Sequence, residues 1–372
     1  MKKEKSRRSL LGRMMVAVLA FLALVGLVAT TMSVISSYVN PEQNVWPAFF
    51  GLSFWAIFLY DVLVFLALLL LWSNKVWIAV LALVVAVPGL LKSFSFNKTQ
   101  EDGELRIMSY NVLNFKDYRD DSKTPMDVAN GLANIVREKQ PDVLCLQEFS
   151  QFMTKTSRAN CIDEFGEMMG MPYHYYHKKA NFGGNVIYSR YPLKAVEGDT
   201  PFASENLYGA VAKVDAGDKG TFWVLNCHLR SFQLTDHEIN VLSEPGNSKE
   251  EVQEYSKSVI SKLKSAYKSR SLEVQELIAH LPQDGRPLLI CGDLNDTPLS
   301  YTYHQLAQNG FKDGFREAGR GIGRTYAGKL PLLRIDYVWC NDNIQPTAFK
   351  RLRYRGSDHY PVMMDFNLNK GY

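Results

Sequence analysis

The sequence predicts a layered α/β sandwich behind a membrane-embedded N-terminal region, and three observations carry that expectation. Short apolar runs recur after residue 104, helical patterns lie between them, and three long apolar stretches precede residue 92. A chain of 372 residues is too long for one ordinary domain and suits two unequal parts.

The apolar stretches come first, at about Met14 to Ile35, Pro47 to Leu71 and Val76 to Leu91. The first two reach the ~20 residues a helix needs to cross a ~30 Å hydrocarbon layer, and the third falls a little short. Trp46, Trp72 and Trp77 stand at the expected ends, where an amphipathic ring prefers the headgroup region. Three transmembrane helices are therefore expected, in an anchor spanning residues 1–96. The basic start and the Ala29-Thr30-Thr31 end also fit a cleavable signal peptide for the first stretch alone; the two later spans would still anchor the product. Lys2, Lys3, Lys5, Arg7, Arg8 and Arg13 precede the first span, whereas the loop Ser36–Val45 has no basic residue. That bias puts the N-terminus in the cytoplasm and, after three crossings, the C-terminal part outside. Lys92 and Lys98 would sit on the outer side, so the bias is weaker at the third helix. Asp61 lies inside the second span; contact with neighbouring helices or water is at least as good a reading as a functional role.

Residues 97–104 form a polar linker without apolar side chains, and residues 105–372 make the second domain. Its strand-like runs are Leu105–Tyr110, Val143–Gln147, Asn185–Tyr188, Ala210–Val214, Phe222–Cys227, Leu288–Cys291, Ile335–Cys340 and Val362–Phe366. They are rich in Val, Ile, Leu and aromatics and mostly bounded by Gly, Pro, Asp or Asn. Helical patterns occupy Asp127–Lys139, with Val128, Leu132, Ile135 and Val136 on one face, and the densely charged Lys249–His280. Many strands with helices interposed make a sandwich with strands from both halves, and its active-site residues belong at strand ends.

Charge is unevenly spread. Nine of the 42 Lys and Arg and three of the 38 Asp and Glu fall in the first 98 residues, which leaves the remainder at a net −2. The second domain thus lacks the broad positive field of a general nucleic-acid binder. Cys145, Cys161, Cys227, Cys291 and Cys340 are odd in number and form no C-x-x-C pair, so they read as small buried hydrophobes. No zinc-type Cys/His spacing and no G-x-x-x-x-G-K-[ST] loop occurs.

The strand ends carry a concentrated set of polar residues. Asn111 follows the first run; Gln147-Glu148, Asn226-Cys227-His228 and Gly292-Asp293-Leu294-Asn295 end later ones. Arg334-Ile335-Asp336-Tyr337 opens another, and Ser357-Asp358-His359-Tyr360-Pro361 precedes the last. Singly, each is an ordinary turn or structural residue; six together, all able to bind metal or phosphate, are not. A hard cation such as Mg²⁺ or Mn²⁺ takes carboxylate and amide oxygens, which Glu148, Asn111 and Asp358 can supply. Hydrolysis of a phosphate ester needs an activated water and neutralisation of the phosphoryl oxygens. His359 could accept the water proton with Asp336 fixing its tautomer, while Asn295 and His228 donate to phosphoryl oxygens.

The blocks Ile107–Asn111, Pro141–Glu148, Gly184–Arg190, Asn226–Leu229, Gly292–Asn295, Arg334–Tyr337 and Ser357–Val362 occur in this order. Together they resemble the endonuclease/exonuclease/phosphatase superfamily over residues 105–366. The resemblance implies a four-layered α/β sandwich, two packed sheets flanked by helices. It implies Glu148 as the principal metal ligand, with Asn111 and Asp358 close to the metal. Asp293 would orient or deprotonate the water or serve the leaving group. Asn295 and His228 would bind the scissile phosphate, and His359, paired with Asp336, would act as base or transition-state stabiliser. Asn185 matches a position near the substrate phosphate in some members.

Three spans followed by such a domain resemble membrane-anchored bacterial members of the superfamily. The expected protein is therefore a Mg²⁺- or Mn²⁺-dependent phosphodiesterase or phosphatase of a bacterial inner membrane, its domain on the outer, periplasmic side. Its substrate would be a phosphate ester, with a lipid-linked one suited to a tethered site. A nuclease acting on DNA or RNA is the alternative, disfavoured by the anchor and the charge. A catalytically inactive membrane receptor or scaffold is the other, opposed by the completeness of the polar set. Residues 231–271 read as a solvated helix over the sheet or as a flap. Arg351, Arg353 and Arg355 would share one face of an extended strand, either as an anion-binding row or as a charged edge.

Overall fold

A computed structural model describes residues 10–97, 101–150, 152, 158–178, 183–195, 209–244, 246–281 and 285–369. The basic cluster at positions 2–8 and Lys98 lie outside the described residues. The chain divides into two compact units, one of Met1–Lys92 with Leu299–Tyr301 and one of Ser93–Pro298 with Thr302–Tyr372.

The first unit contains helices α1 (Leu10–Ile35), α2 (Trp46–Leu52), α3 (Phe54–Leu70) and α4 (Val76–Ser93). Two of them, α1 with 26 residues and α4 with 18, are long and apolar enough to cross a bilayer. The expected second span differs: it is a bent pair, α2 and α3 meeting at 70°, and three spans exist only if that pair counts as one. The break falls at Ser53, two residues after Gly51, where weak helix formers and a doubly used cap N–H end α2. Polarity in this unit runs inside out. Leu24, Val28, Leu63, Leu66, Val84 and Trp72 are exposed, whereas Thr30, Ser33 and Asp61 are buried. Asp61 faces α1, where Thr30 Oγ1 donates to it and Gly26 leaves the room that its carboxylate fills. Tyr60 adds a hydroxyl donated to the Leu22 carbonyl at 2.9 Å. A face of this apolarity is ordinary in lipid and costly in water.

The second unit holds strands β1 (Ser95–Phe96), β2 (Leu105–Asn111), β3 (Val143–Phe149), β4 (Tyr173–Lys178), β5 (Gly184–Ser189), β6 (Leu193–Ala195) and β7 (Gly209–Asp215). They continue as β8 (Thr221–His228), β9 (Leu288–Asp293), β10 (Lys312–Asp313), β11 (Arg320–Gly321), β12 (Asp336–Cys340), β13 (Ile344–Arg351) and β14 (Val362–Leu368). Helices α5 (Pro125–Lys139), α6 (Arg158–Met169), α7 (Asp236–Ser243), α8 (Lys249–Ala279), α9 (Tyr301–Gln308) and α10 (Gly314–Ala318) complete it. Two six-stranded mixed sheets result, ordered β13-β14-β2-β3-β5-β4 and β10-β12-β9-β8-β7-β6. Each is built around one parallel pair, β2 with β3 and β8 with β9, and is otherwise antiparallel. This is the α/β sandwich the strand pattern predicts. The reading missed the strands β1, β4, β6, β10, β11 and β13 and the helices α6, α7, α9 and α10, which are either short or too polar for an apolar run to mark them.

Alternation along each strand sorts side chains between layers. Leu105 and Ile107 of β2, Val143 and Cys145 of β3, Phe222 and Val224 of β8, Leu289 and Cys291 of β9, and Val338 and Cys340 of β12 join one core between the sheets. Met108, Tyr110, Leu144 and Leu146 face the other way, onto Val128, Leu132 and Val136 of α5 and Cys161 and Phe165 of α6. On the second sheet, Tyr303 of α9 packs its ring 4.7 Å from that of Trp339. All five cysteines are buried and free, as small hydrophobes should be. Helix starts follow local chemistry: Thr124 and Asp127 form a capping box on α5, and Thr235 and Glu238 another on α7.

Gly292 lies where β9 meets β8. Its φ is +139°, and a Cβ there would stand 1.9 Å from the Cys227 carbonyl oxygen. Gly292→Ala should destabilise the protein by about 2–4 kcal/mol, read from the shift of its denaturation midpoint. A variant as stable as the parent would contradict this close approach.

Candidate active site

The inward-facing series that builds the core turns polar at one end of the sandwich. On β2 the run Leu105, Ile107 continues to Ser109 and Asn111; on β3, Val143 and Cys145 lead to Gln147. On β8, Phe222 and Val224 lead to Asn226 and His228, and on β9, Leu289 and Cys291 lead to Asp293. Register gathers the ends: Asn111 sits opposite Gln147, His228 opposite Asp293, and Asp336 opposite Asp293. A hydrogen-bonded bridge closes the gap between the sheets. Gln147 Nε2 donates to Asn226 Oδ1 at 2.7 Å and to Ser109 Oγ at 3.1 Å, and Asn226 Nδ2 donates to the Leu146 and Val186 carbonyls, both at 2.9 Å.

Above that floor the Asp293 carboxylate is the hub. Asn111 Nδ2 donates to its Oδ2 at 3.1 Å, and His359 Nε2 and His228 Nε2 lie 3.6 and 3.7 Å from the same oxygen. Asn111 Nδ2 also reaches Glu148 Oε1 at 3.2 Å, which stands 3.6 Å from His228 Nε2. The Asn111 oxygen accepts from the Leu113 N–H at 3.0 Å, so its nitrogen faces both carboxylates. His359 Nδ1 is held by Asp336 at 2.9 and 3.0 Å, and Asp336 by the Thr325 hydroxyl, which accepts from its N–H at 3.1 Å.

Electrostatics follow from this crowding. Burial pushes the Asp293 carboxyl up to about 7, with Asp336 adding to the effect and His359 opposing it. Burial alone would lower the His359 imidazole, but Asp336, Asp293 and Asp358 outweigh it and hold it well above its ordinary value.

Glu148 reaches the site through a bulge. Pairing of β3 with β5 slips between Leu146 and Phe149, and Glu148 takes φ +54°, a left-handed conformation that a non-glycine residue adopts at a cost of about 1–2 kcal/mol. Leu113, Asn114 and Phe115 also have positive φ, at 47°, 53° and 60°. This left-handed turn brings Asn114 Nδ2 to Glu148 Oε2 at 3.3 Å. Strain of this kind gathers where a side chain must be aimed.

The remaining expected residues are placed as follows. Asp358 Oδ1 is 3.8 Å from His359 Nε2 and accepts from Ser357 Oγ at 3.2 Å. Asn295, with φ +52°, donates its N–H to Asp293 Oδ1 at 2.8 Å and its amide to the Leu229 carbonyl at 3.1 Å. Asn185 is buried and donates to the Asn226 carbonyl at 3.3 Å. Arg334 points elsewhere, into an ion pair with Asp313 at 2.6 Å and against the Phe315 and Tyr337 rings. Sequence reasoning missed Asn114, Thr325 and Tyr326, whose ring packs against His359 at 5.6 Å. Each lies in a loop, and only Asn111-Val112-Leu113-Asn114, with two amides three residues apart, carried a visible signal.

The donor set fits a hard divalent cation. Glu148 and Asp293 converge on one amide, and such converging carboxylates are stabilised by a bound cation or by a proton. Asp293, Asp336 and His359 also present donor atoms all within 4.8 Å of one another. Four of the five cysteines are buried in the two apolar cores, and the thiol of the fifth, Cys227, is buried and donates to the Cys291 carbonyl at 3.5 Å.

Residues 108–359 match the Endonuclease/Exonuclease/phosphatase family. The chain belongs to that family. Protein YbhP of Escherichia coli (strain K12) is 27% identical over 189 residues, 50% of this chain and 63% of that protein, so the chain spans less than two thirds of that relative. A DNA-(apurinic or apyrimidinic site) endonuclease of Dictyostelium discoideum is 22% identical over 309 residues, 72% of each protein. The human Nocturnin catalytic domain superposes with a TM-score of 0.50 at 16% identity, over 73% of this chain and 96% of that one; the likeness is one of fold.

A folded-state pKa above the unfolded value means that the His359 imidazolium adds stability below about pH 6.5, and that this is lost as pH rises through the folded value. In metal-free protein, Asp336→Asn should lower the His359 titration midpoint, followed through its imidazole NMR signals. It should also shrink the excess stability at mildly acid pH. An unmoved midpoint would show that Asp336 does not hold the ring.

Proposed function

We propose that this protein is a Mg²⁺- or Mn²⁺-dependent phosphoric-ester hydrolase tethered to a membrane, and that the Asp293 hub is its catalytic centre. The observation that carries the reading is one buried carboxylate set between two imidazoles, one of them oriented by Asp336. Glu148 would be the principal ligand of the cation, with Asp358 beside it and Asn111 joining once its amide turns the oxygen from the Leu113 N–H toward the cation. Bound there, the cation would neutralise charge on the phosphoryl oxygens.

The chain's own groups would do the rest. Asp293, its carboxyl raised into the neutral range, is suited to take a proton from the attacking water as the oxygen bonds to phosphorus. His359, held by Asp336 and surrounded by carboxylates, is suited to carry a positive charge and steady the phosphoryl oxygens as the bond to the leaving oxygen breaks. This moves the base role from His359, its first reading from sequence, toward Asp293. Asn295, His228 and Asn185 would bind the scissile phosphate.

The exposed apolar surface of α1, α3 and α4 supports a bilayer as the surroundings of the first unit. A bacterial inner-membrane location with the catalytic part outside, and a lipid-linked phosphate as substrate, extend this reading. The 22% identity with an apurinic/apyrimidinic endonuclease over 72% of each protein supports a nuclease as the second reading. The net −2 after residue 98 weighs against it. An inactive scaffold is opposed by the intact polar set around Asp293.

Purified full chain should hydrolyse a phosphate ester only with Mg²⁺ or Mn²⁺ added, and EDTA should abolish turnover. Glu148→Ala and His359→Ala should each lower kcat by about 10²–10³-fold. Full metal-dependent activity in either variant would sink the site. A panel of polyprenyl phosphate, phospholipid and plasmid DNA decides between the readings, and rapid cleavage of DNA alone would overturn the lipid substrate.

A further inference from the structure

A cavity of about 630 Å³ in the second unit uses none of the residues of the Asp293 cluster. Arg320, Arg324, Arg351 and Arg353 line it together with Phe315 and Phe349. Among the described residues no Asp or Glu lines it, and none of the four guanidinium groups is ion-paired with a carboxylate. Two of them are instead fixed by neutral partners. Arg324 donates to the Tyr326 and Gly328 carbonyls at 2.6 and 3.2 Å. Arg351 donates to the Arg324 carbonyl at 3.3 Å and lies over the Tyr360 ring at 4.7 Å. Arg320, Arg351 and Arg353 are exposed, and Arg324 is half-buried. Gly323, at φ +66°, lets the loop lie against the Phe315 ring, where a Cβ would come within 2.6 Å.

Four like charges around one cavity repel one another until an anion enters it. The guanidinium fork matches the oxygens of a phosphate, and because the carbonyls and ring already orient two of these groups, little order remains to be imposed on binding. The wall opposite in character is apolar: Phe315 and Phe349 are almost wholly buried, and Phe94, next in the chain after α4, joins them. We propose that this cavity is a second anion site, separate from the catalytic cluster, that binds a phosphate group carried on an apolar body. Arg351 and Arg353 of the alternating row therefore serve this cavity, whereas Arg355 is not among its lining residues. The site does not depend on the catalytic reading.

The test uses the full chain in detergent with EDTA, titrated calorimetrically with inorganic phosphate and with dihexanoyl phosphatidic acid. Both the R351Q/R353Q double variant and the R320Q/R324Q double variant should weaken binding about tenfold or more. Arg355→Gln and Glu148→Ala should bind as the parent does. Binding of the lipid at least tenfold tighter than inorganic phosphate is the expected result; equal binding by the two probes would overturn the apolar body. Absence of binding by both probes overturns the proposal. So does parent-like affinity in the double variants, equal weakening by Arg355→Gln, which would mean diffuse surface charge, or loss on Glu148→Ala, which would place the anion at the catalytic cluster.

Discussion

The two sheets are joined at their polar end by one wholly buried asparagine, and the polar cluster around Asp293 depends on that join. Asn226 belongs to β8, yet its amide donates to carbonyls of β3 and β5 in the other sheet and accepts from Gln147. Burying these groups unpaired would cost several kcal/mol in total, since each unsatisfied polar group costs about 1–3 kcal/mol. The bridge therefore sets the spacing between sheets at the place where the core stops being apolar. Asn111 and Glu148 come from one sheet, and His228, Asp293 and Asp336 from the other. Their separations of 3–4 Å have meaning only because the sheets cannot slide there.

Local strain sharpens what the bridge positions. A strand end alone would point Glu148 away from Asn111, since neighbouring side chains in a strand face opposite ways. The bulge and the left-handed backbone at Glu148 reverse that, and the left-handed turn at 113–115 supplies Asn114 as a second hold. Gly292 permits β9 to press against β8 so that Asp293 and His228 stand opposite each other. The second unit thus spends backbone strain at its site and recovers it through a close-packed core on both faces of the first sheet.

The first unit sorts its side chains the other way. Its helices bury Thr30, Ser33 and Asp61 and expose leucines and valines, the reverse of the second unit. Composition announced the apolar character, but the division of the second stretch into α2 and α3 was not legible. Hydropathy sums over a window and is blind to direction; Gly51 and Ser53 decide where the axis turns.

The sequence by itself determined the sandwich, because alternating apolar runs admit only strands with two distinct faces, and it determined the residue types of the site, because turn formers alone do not explain carboxylates, amides and histidines gathered at six strand ends. It also exposed the arginine row at 351–355 without its meaning. Only the tertiary structure decided that Asn226 ties the sheets, that Asn114 supports Glu148, that Arg334 is spent on Asp313, and that Arg320 and Arg324 join Arg351 and Arg353 around one cavity. The reason is the same in each case. Periodicity reports which face of its own element a side chain takes, whereas these contacts join residues far apart in the chain, whose meeting depends on sheet register and loop path.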